Sequence, residues 1–213
     1  NCCEISSLRN IFKEHSFQGI IHFAAFKSVA ESVDFPEKYH ANNMGSLENI
    51  MTLMEEFQII NMVFSSSCTV YGEPKSNPVD EQTPWQDAAS PYGHTKQLGE
   101  LLIQDICKSK GMSAAILRYF NPIGAHPSGF IGELPLGIPN NLVPVLLRKI
   151  SEQSTLSVFG NDYPTRDGSC VRDYIHVMDL AEAHVKSLQW LEKNKNVVEH
   201  FNIGQGKGNS VLE

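Results

Sequence analysis

Three short runs dense in β-branched and other apolar residues, Gly19 to Ala25, Asn61 to Ser67 and Ala114 to Tyr119, are separated by helix-length segments. Continuous apolar runs of this kind, without polar alternation, are what strands covered on both faces look like. The segment from Pro36 to about Phe57 returns apolar side chains at three and four (Leu47, Ile50, Met51, Met54), the period of an amphipathic helix. A second helix opens at Pro91, whose fixed φ suits the first helical position. It is expected to turn Leu98, Leu101, Leu102 and Ile106 to a core. Strands alternating with helices of this length imply βαβ units and a parallel sheet, so the class is α/β.

The flanking segments are less regular. Ser7 to His15 reads as a short helix with Leu8, Ile11 and Phe12 on one face, and Tyr71 to Pro91, with four prolines, as a surface loop. From Asn121 to Pro144 the chain turns glycine- and proline-rich and loses any period. A helix over 141–152, a strand over 155–159, a helix over 179–193 and a strand over 199–203 are expected to follow. The division expected is therefore 1–121 for the sheet and 122–213 for a mixed portion that also returns elements to the sheet.

Chemistry concentrates near the start of the second long helix. In Tyr92-Gly93-His94-Thr95-Lys96 the tyrosine and lysine stand four apart, on one helix face a turn from each other. A phenol with pKa near 10 is a weak base at neutral pH. An ammonium beside it favours the phenolate and makes proton abstraction from an alcohol feasible. Ser65-Ser66-Ser67 closes the preceding strand, and ligands of open parallel sheets bind at the carboxyl ends of strands. A hydroxyl there can relay a proton to the tyrosine, although serines at a strand end also serve as turn and helix caps.

Charge and cysteine use narrow the context. Seventeen Lys and Arg oppose twenty-four Asp and Glu, a formal charge of −7, which argues against a nucleic-acid partner. Five cysteines at irregular spacings offer neither a Cys-x-x-C pair nor a zinc pattern, so reduced thiols in a cytoplasmic protein and no metal are expected. No apolar run approaches the roughly 20 residues of a membrane span.

The stretches Phe64 to Gly72, Ser90 to Lys96, Leu117 to His126, Gly137 to Leu142, Val158 to Tyr163 and Asp167 to Val177 together resemble the UDP-glucose 4-epimerases, of the extended short-chain dehydrogenase/reductase family. The resemblance runs through the whole chain in order. It implies an incomplete doubly wound, Rossmann-like parallel sheet with a smaller substrate-binding portion. It also implies NAD as cofactor, UDP-galactose and UDP-glucose as substrates, and a homodimer paired through the helices at 36–57 and 91–109. By the resemblance Tyr92 is the base, Lys96 the lysine that lowers its pKa and holds the nicotinamide ribose, and Ser67 the hydroxyl bridging substrate and tyrosine. Phe23, Ala24, Ala25, Lys27, Asn42, Ser65 and Phe120 match cofactor-side positions, Lys27 also reaching the substrate. Asn121, Asn141, Leu142, Phe159 and Arg172 match positions that hold the UDP-sugar, and a planar guanidinium suits a phosphate. Read without the resemblance, Phe23, Phe120 and Leu142 are core residues, and a surface ion pair is the alternative for Arg172 beside Asp173.

Departures from the family pattern are also legible. Cys68 stands where alanine is usual, and Ala25-Phe26 where Gly-Leu is usual. His94 and Thr95 replace Lys and Ser between the catalytic pair and are expected to point away from it. Related sugar 4,6-dehydratases carry an Asp-Glu pair after the strand hydroxyl, and Cys68-Thr69 occupies that place here. The family's N-terminal strand, glycine-rich turn and helix have no counterpart in this sequence, nor do its C-terminal substrate residues. Gly204-Gln205-Gly206-Lys207-Gly208 does not supply the turn. Impaired turnover and poor stability of the isolated chain are therefore expected. The alternatives are a non-catalytic nucleotide-sugar-binding or partner-binding chain, or a related UDP-sugar decarboxylase or N-acetylhexosamine epimerase.

Overall fold

The structure is a computed structural model describing residues 1–213 apart from Leu136, Ile138 and Asn140. Two residues of the 137–142 motif, Ile138 and Asn140, thus lie outside the described residues. The chain divides into two compact units, Asn1–Tyr119 with Ala183–Ile203, and Phe120–Glu182 with Gly204–Glu213.

The first unit is built on a four-stranded parallel sheet. Its strands are β1 (Ile20–His22), β2 (Asn61–Ser67), β3 (Ser113–Tyr119) and β6 (Val198–Ile203), in spatial order β1-β2-β3-β6. β2 and β3 are buried over almost their whole length, as their apolar composition demands. Their side chains part by strand alternation. Met62, Phe64, Ala114 and Ile116 join a core with Leu47, Leu53 and Met54 of α3 (Pro36–Glu56) and Ile103 of α4 (Pro91–Lys110). Val63, Ala115 and Leu117 face the other way, onto Leu188 and Leu191 of α6 (Val177–Lys193). α1 (Ile5–Glu14) and the six-residue α2 (Val29–Asp34) complete the unit.

Local chemistry sets the ends of α4. The Ser90 hydroxyl accepts from Gly93 N (3.1 Å), Pro91 follows it, and Gly111 ends the helix in the left-handed region at φ 64°. Gly99 lets α4 approach β2 closely, since a Cβ there would come within 3.0 Å of the Phe64 ring.

The second unit holds a smaller sheet, in which β4 (Asn121–Ile123) runs parallel and β7 (Gly208–Ser210) antiparallel to the central β5 (Val171–His176). α5 (Leu142–Ser151) belongs to it and buries none of its residues.

Several expectations change. The 155–159 strand is absent, and β4, β5 and β7 form where none was expected. α4 faces the core with only part of the leucine stripe: Leu102 and Ile106 pack against it and Leu101 is 47% exposed, whereas Tyr92, Lys96, Gly99, Glu100, Ile103 and Cys107 are buried. What opposes the helix decides this, because the polar end of β2 and a close glycine contact accept the Lys96–Glu100 side better than a row of leucines. Ile11 is likewise exposed, leaving Phe12 as the anchor of α1.

Candidate active site

Three serines end β2, and each finds a different partner. Ser67 closes the strand and caps the short 3₁₀ turn Cys68–Tyr71, its hydroxyl accepting from Thr69 N at 3.3 Å. The same hydroxyl faces the phenol of Tyr92, in the first turn of α4, and pulls its pKa down. The serine thus caps the turn, as serines at a strand end do, while its hydroxyl faces the phenol. Ser65 shares the face of Val63, toward α6, where its hydroxyl meets Nε2 of His184 at 3.2 Å and the phenol of Tyr119. Ser66 points toward α4 and donates to Glu100.

Lys96 reaches the same strand end. Its ammonium donates to the Ser65 carbonyl (2.6 Å) and sits 4.9 Å from the centroid of the Phe64 ring and 5.8 Å from that of Tyr92. Burial drives its pKa down to about 8, against the opposing pull of the Glu100 carboxylate. His22, buried at the end of β1 and stacked on Phe64, falls to about 4 through burial and then the nearby ammonium, so it is neutral.

Tyr92 is 8% exposed, and its phenol lies well above the ordinary value. Burial is the main cause, with Tyr119 adding to it and the Ser67 hydroxyl opposing it. Lys96 aims its proton at a carbonyl and not at this phenol, so the pair is together in space without a direct bond. Lowering of the phenol by the lysine, expected from the spacing, is not what sets it here.

Around this centre the loop after β1 places Phe23 57% exposed and tilted onto the His184 ring at 4.4 Å between centroids, so it is not a core residue. Ala24, Ala25 and Asn42 line a cavity of about 200 Å³ together with Cys2, Cys3 and Ser46. Lys27 lies on the surface. Thr69 Oγ1 is buried without a hydrogen-bond partner. Within the second unit Phe120 is half-buried against Gly204, whose Cβ would fall 3.1 Å from the ring. Asn121 opens β4, Asn141 precedes α5 and donates to Glu133 (3.1 Å), and Leu142 is the first residue of that helix. Phe159 is 85% exposed. Arg172 is exposed and donates to the Val171 carbonyl, while Asp173 accepts from the amides of Gln205 and Gly206. Arg172 and Asp173 are thus engaged elsewhere and not with each other, and the glycine-rich turn has two of its amides committed to a carboxylate.

Sequence reasoning missed four residues. Asn43, not only its neighbour Asn42, fixes the loop after β1: its side chain accepts from Phe26 N (2.8 Å) and donates to the Phe26 carbonyl and to Thr95 Oγ1 (both 3.1 Å). Thr95 is accordingly buried, against the expectation that it points away, whereas exposed His94 meets His40 at 3.4 Å. His184 and Glu100 also went unread, the one because it is remote in sequence. Glu100 carried a signal, standing four residues beyond Lys96 on the same face.

A family model described as the NAD dependent epimerase/dehydratase family matches residues 1–204. UDP-glucose 4-epimerase 2 of Arabidopsis thaliana is 47% identical over 213 residues, covering 97% of this chain and 59% of that protein. The Bacillus subtilis UDP-glucose 4-epimerase is 48% identical over 206 residues, 96% of this chain and 60% of its own length. The chain thus spans about 60% of the length of these relatives. Among solved structures, UDP-glucose 4-epimerase from Bifidobacterium longum in complex with NAD+ and UDP superposes with a TM-score of 0.93 at 40% identity, covering all of this chain and 64% of that one. The Stenotrophomonas maltophila enzyme with bound NAD and formylated UDP-arabinopyranose gives 0.94 at 41%, covering 100% and 63%. A match over nearly the whole sequence, joined to the Ser67–Tyr92–Lys96 cluster at the carboxyl end of a parallel sheet, establishes that the chain belongs to the NAD dependent epimerase/dehydratase family.

Proposed function

We propose that the chain carries the reacting centre of a UDP-glucose 4-epimerase, interconverting UDP-galactose and UDP-glucose through a 4-keto intermediate with NAD bound. The observation that carries this reading is the convergence of the Ser67 hydroxyl, the buried Tyr92 phenol and the buried Lys96 ammonium at the end of β2. The residues present fit the cofactor. Lys96 uses one of its three donor protons on a carbonyl and keeps two for hydroxyls of a ribose. The orphaned Thr69 hydroxyl, the uncovered Phe23 ring and the cavity beside Ala24, Ala25 and Asn42 are features that a dinucleotide and sugar would engage. Lys27, Ser65 and Phe120 belong to the same proposed cofactor side.

Tyr92 takes the proton of the sugar 4-hydroxyl, with Ser67 hydrogen-bonded to both oxygens. Burial keeps the phenol protonated in the free chain, so deprotonation waits for positive charge to enter the site. Lys96 supplies part of that charge and orients the ribose. NAD, when bound, would supply the hydride acceptor for carbon 4 and the donor for its return. Tyr92 then returns the proton. Asn121, Asn141, Leu142, Phe159 and Arg172 hold the UDP-sugar in this reading, Arg172 at phosphate and Phe159 at uracil. The portions proposed are 1–121 for the cofactor and 122–213 for the sugar nucleotide. The parent protein is a cytoplasmic homodimer pairing through α3 and α4, where exposed Leu101 would be covered. All five cysteines are unbridged, as reduced cytosolic thiols would be, and no described helix is long and apolar enough to cross a membrane.

Conversion of UDP-galactose deuterated at carbon 4 tests the chemistry. Hydride return predicts UDP-glucose with deuterium retained at carbon 4. Loss of the label to solvent, or of water or carbon dioxide from the sugar, would contradict it.

A further inference from the structure

Behind the reacting groups lies a second polar layer that proton transfer does not use. Ser66, Arg118 and Asn202 stand side by side in register on β2, β3 and β6. Strand alternation puts their side chains on one face, the face that α4 covers. Glu100 comes down onto this row from α4, one turn beyond Lys96. Arg118 grips its carboxylate through Nε (3.1 and 3.2 Å) and Nη2 (2.7 Å), and Ser66 donates to it. His200 Nε2 lies 3.3 Å away. The guanidinium also donates to the Tyr71 hydroxyl (3.1 Å) and to the Glu81 carbonyl (3.2 Å), and Tyr71 donates to Asn202 (2.6 Å). Arg118 is 3% exposed and Glu100 not at all.

Stability alone is a poor account of such a pair. Burying two charges carries a large desolvation cost, and well-packed apolar side chains of similar volume often serve as well or better. The layer does something an apolar one cannot: it fixes direction. Tyr92, Lys96 and Glu100 form one stripe at i, i+4 and i+8, and they address three consecutive residues of β2. Tyr92 meets the Ser67 hydroxyl, Lys96 the Ser65 carbonyl and Glu100 the Ser66 hydroxyl. A helix sliding by one residue would break all three at once.

We infer that Glu100, locked by Arg118 and Ser66, is a positioning residue that sets the register of α4 on the end of β2, and with it the meeting of Ser67, Tyr92 and Lys96. The inference rests on reading those three as the reacting set. Glu100 touches no reacting atom. It acts through the strand it holds and, as the carboxylate nearest Lys96 on α4, through the charge of that ammonium. The other titratable groups about the ammonium are His22 of β1 and Tyr92 of α4, with Arg118 of β3 and His200 of β6 behind Glu100.

Two variants and two readouts test this. Ser66→Ala cuts the link between strand and carboxylate and leaves every charge in place. In UDP-galactose conversion with NAD added, it is expected to lower kcat, by up to about 10²-fold if the reacting groups drift by 1 Å, with KM within about twofold and melting temperature little changed. Unchanged kcat would overturn the positioning role. Glu100→Gln is read by NMR titration of isotopically labelled Lys96, which needs no turnover. The lysine midpoint is expected to fall below that of the wild type, because the group holding it up is gone, and an unmoved midpoint would overturn the inference. Should the wild type convert nothing, the epimerase reading fails while the lysine titration still decides the role of Glu100. Should Glu100→Gln not fold, Ser66→Ala decides it.

Discussion

The two units solve opposite problems with the same amino acids. Where β2 and β3 meet α3 and α4, the buried polar side chains are largely answered: Ser66, Glu100, Arg118, Asn43 and Thr95 all sit in closed hydrogen-bond sets. In the second unit Phe130, Leu134 and Phe159 stand 85–93% exposed, and α5 buries nothing. The first unit holds its geometry alone and can place a phenol against a hydroxyl. The second presents surface suited to being covered by something else. Rigid placement belongs where protons move, and open apolar surface where a ligand or further chain is received.

The sharpest way to break this contrast is Lys96→Met. If the first unit sacrifices stability for chemistry, removing the ammonium should cost at least about 10²-fold in turnover, the usual range for a group in the proton-transfer machinery. It should also raise stability near neutral pH. The lysine lies at about 8 in the folded chain against 10.5, and that gap corresponds to about 3 kcal/mol. Its folded pKa is depressed, so its penalty is complete below 8 and fades as pH rises toward 10.5. Melting curves of both proteins at pH 7 and pH 10 check this, with the gain expected at pH 7 and largely lost at pH 10.

A second prediction concerns acid. His22 drops from 6.5 to about 4 through burial first and Lys96 second. The unfolded chain binds its proton between those values and the folded chain does not. Stability should therefore fall by up to about 3 kcal/mol as pH drops from 6.5 to 4. Urea titrations of the wild type and His22→Gln should show the variant losing less over that interval.

The smallest effect belongs to the second unit. Phe159→Ala removes a ring already 85% exposed, so unfolding should change by no more than about 0.5 kcal/mol. Calorimetric titration with UDP should nevertheless show weakened binding. A large stability loss with unchanged binding would erase the contrast between the units.

Much of this was legible in the sequence, and unevenly so. β2 was read to the residue because a buried parallel strand has no alternative pattern, and α3 and α4 were announced by proline starts and helical period. Tyr92, Lys96 and Ser67 were brought together as their spacing and strand-end position required. The buried face of α4 was only half legible, Leu102 and Ile106 packing inward but Leu101 not, because apolar periodicity cannot know that a glycine and a buried ion pair hold the helix to β2. Phe159 was assigned to a strand that does not form, since in a glycine- and proline-rich stretch the pattern of four or five residues is too short to decide. His184 pairs with Ser65 across 119 positions, and no local pattern reports a contact of that range.

The central claim is that Tyr92 moves the proton at the end of β2. Its most direct test is conversion of UDP-galactose to UDP-glucose with saturating NAD by the wild type and Tyr92→Phe in parallel, with circular dichroism confirming that both are folded and UDP binding measured on both. The account predicts conversion by the wild type, loss of at least about 10³-fold in the variant, and UDP affinity equal within twofold. Equal conversion by the two proteins would contradict it and remove Tyr92 from the reaction.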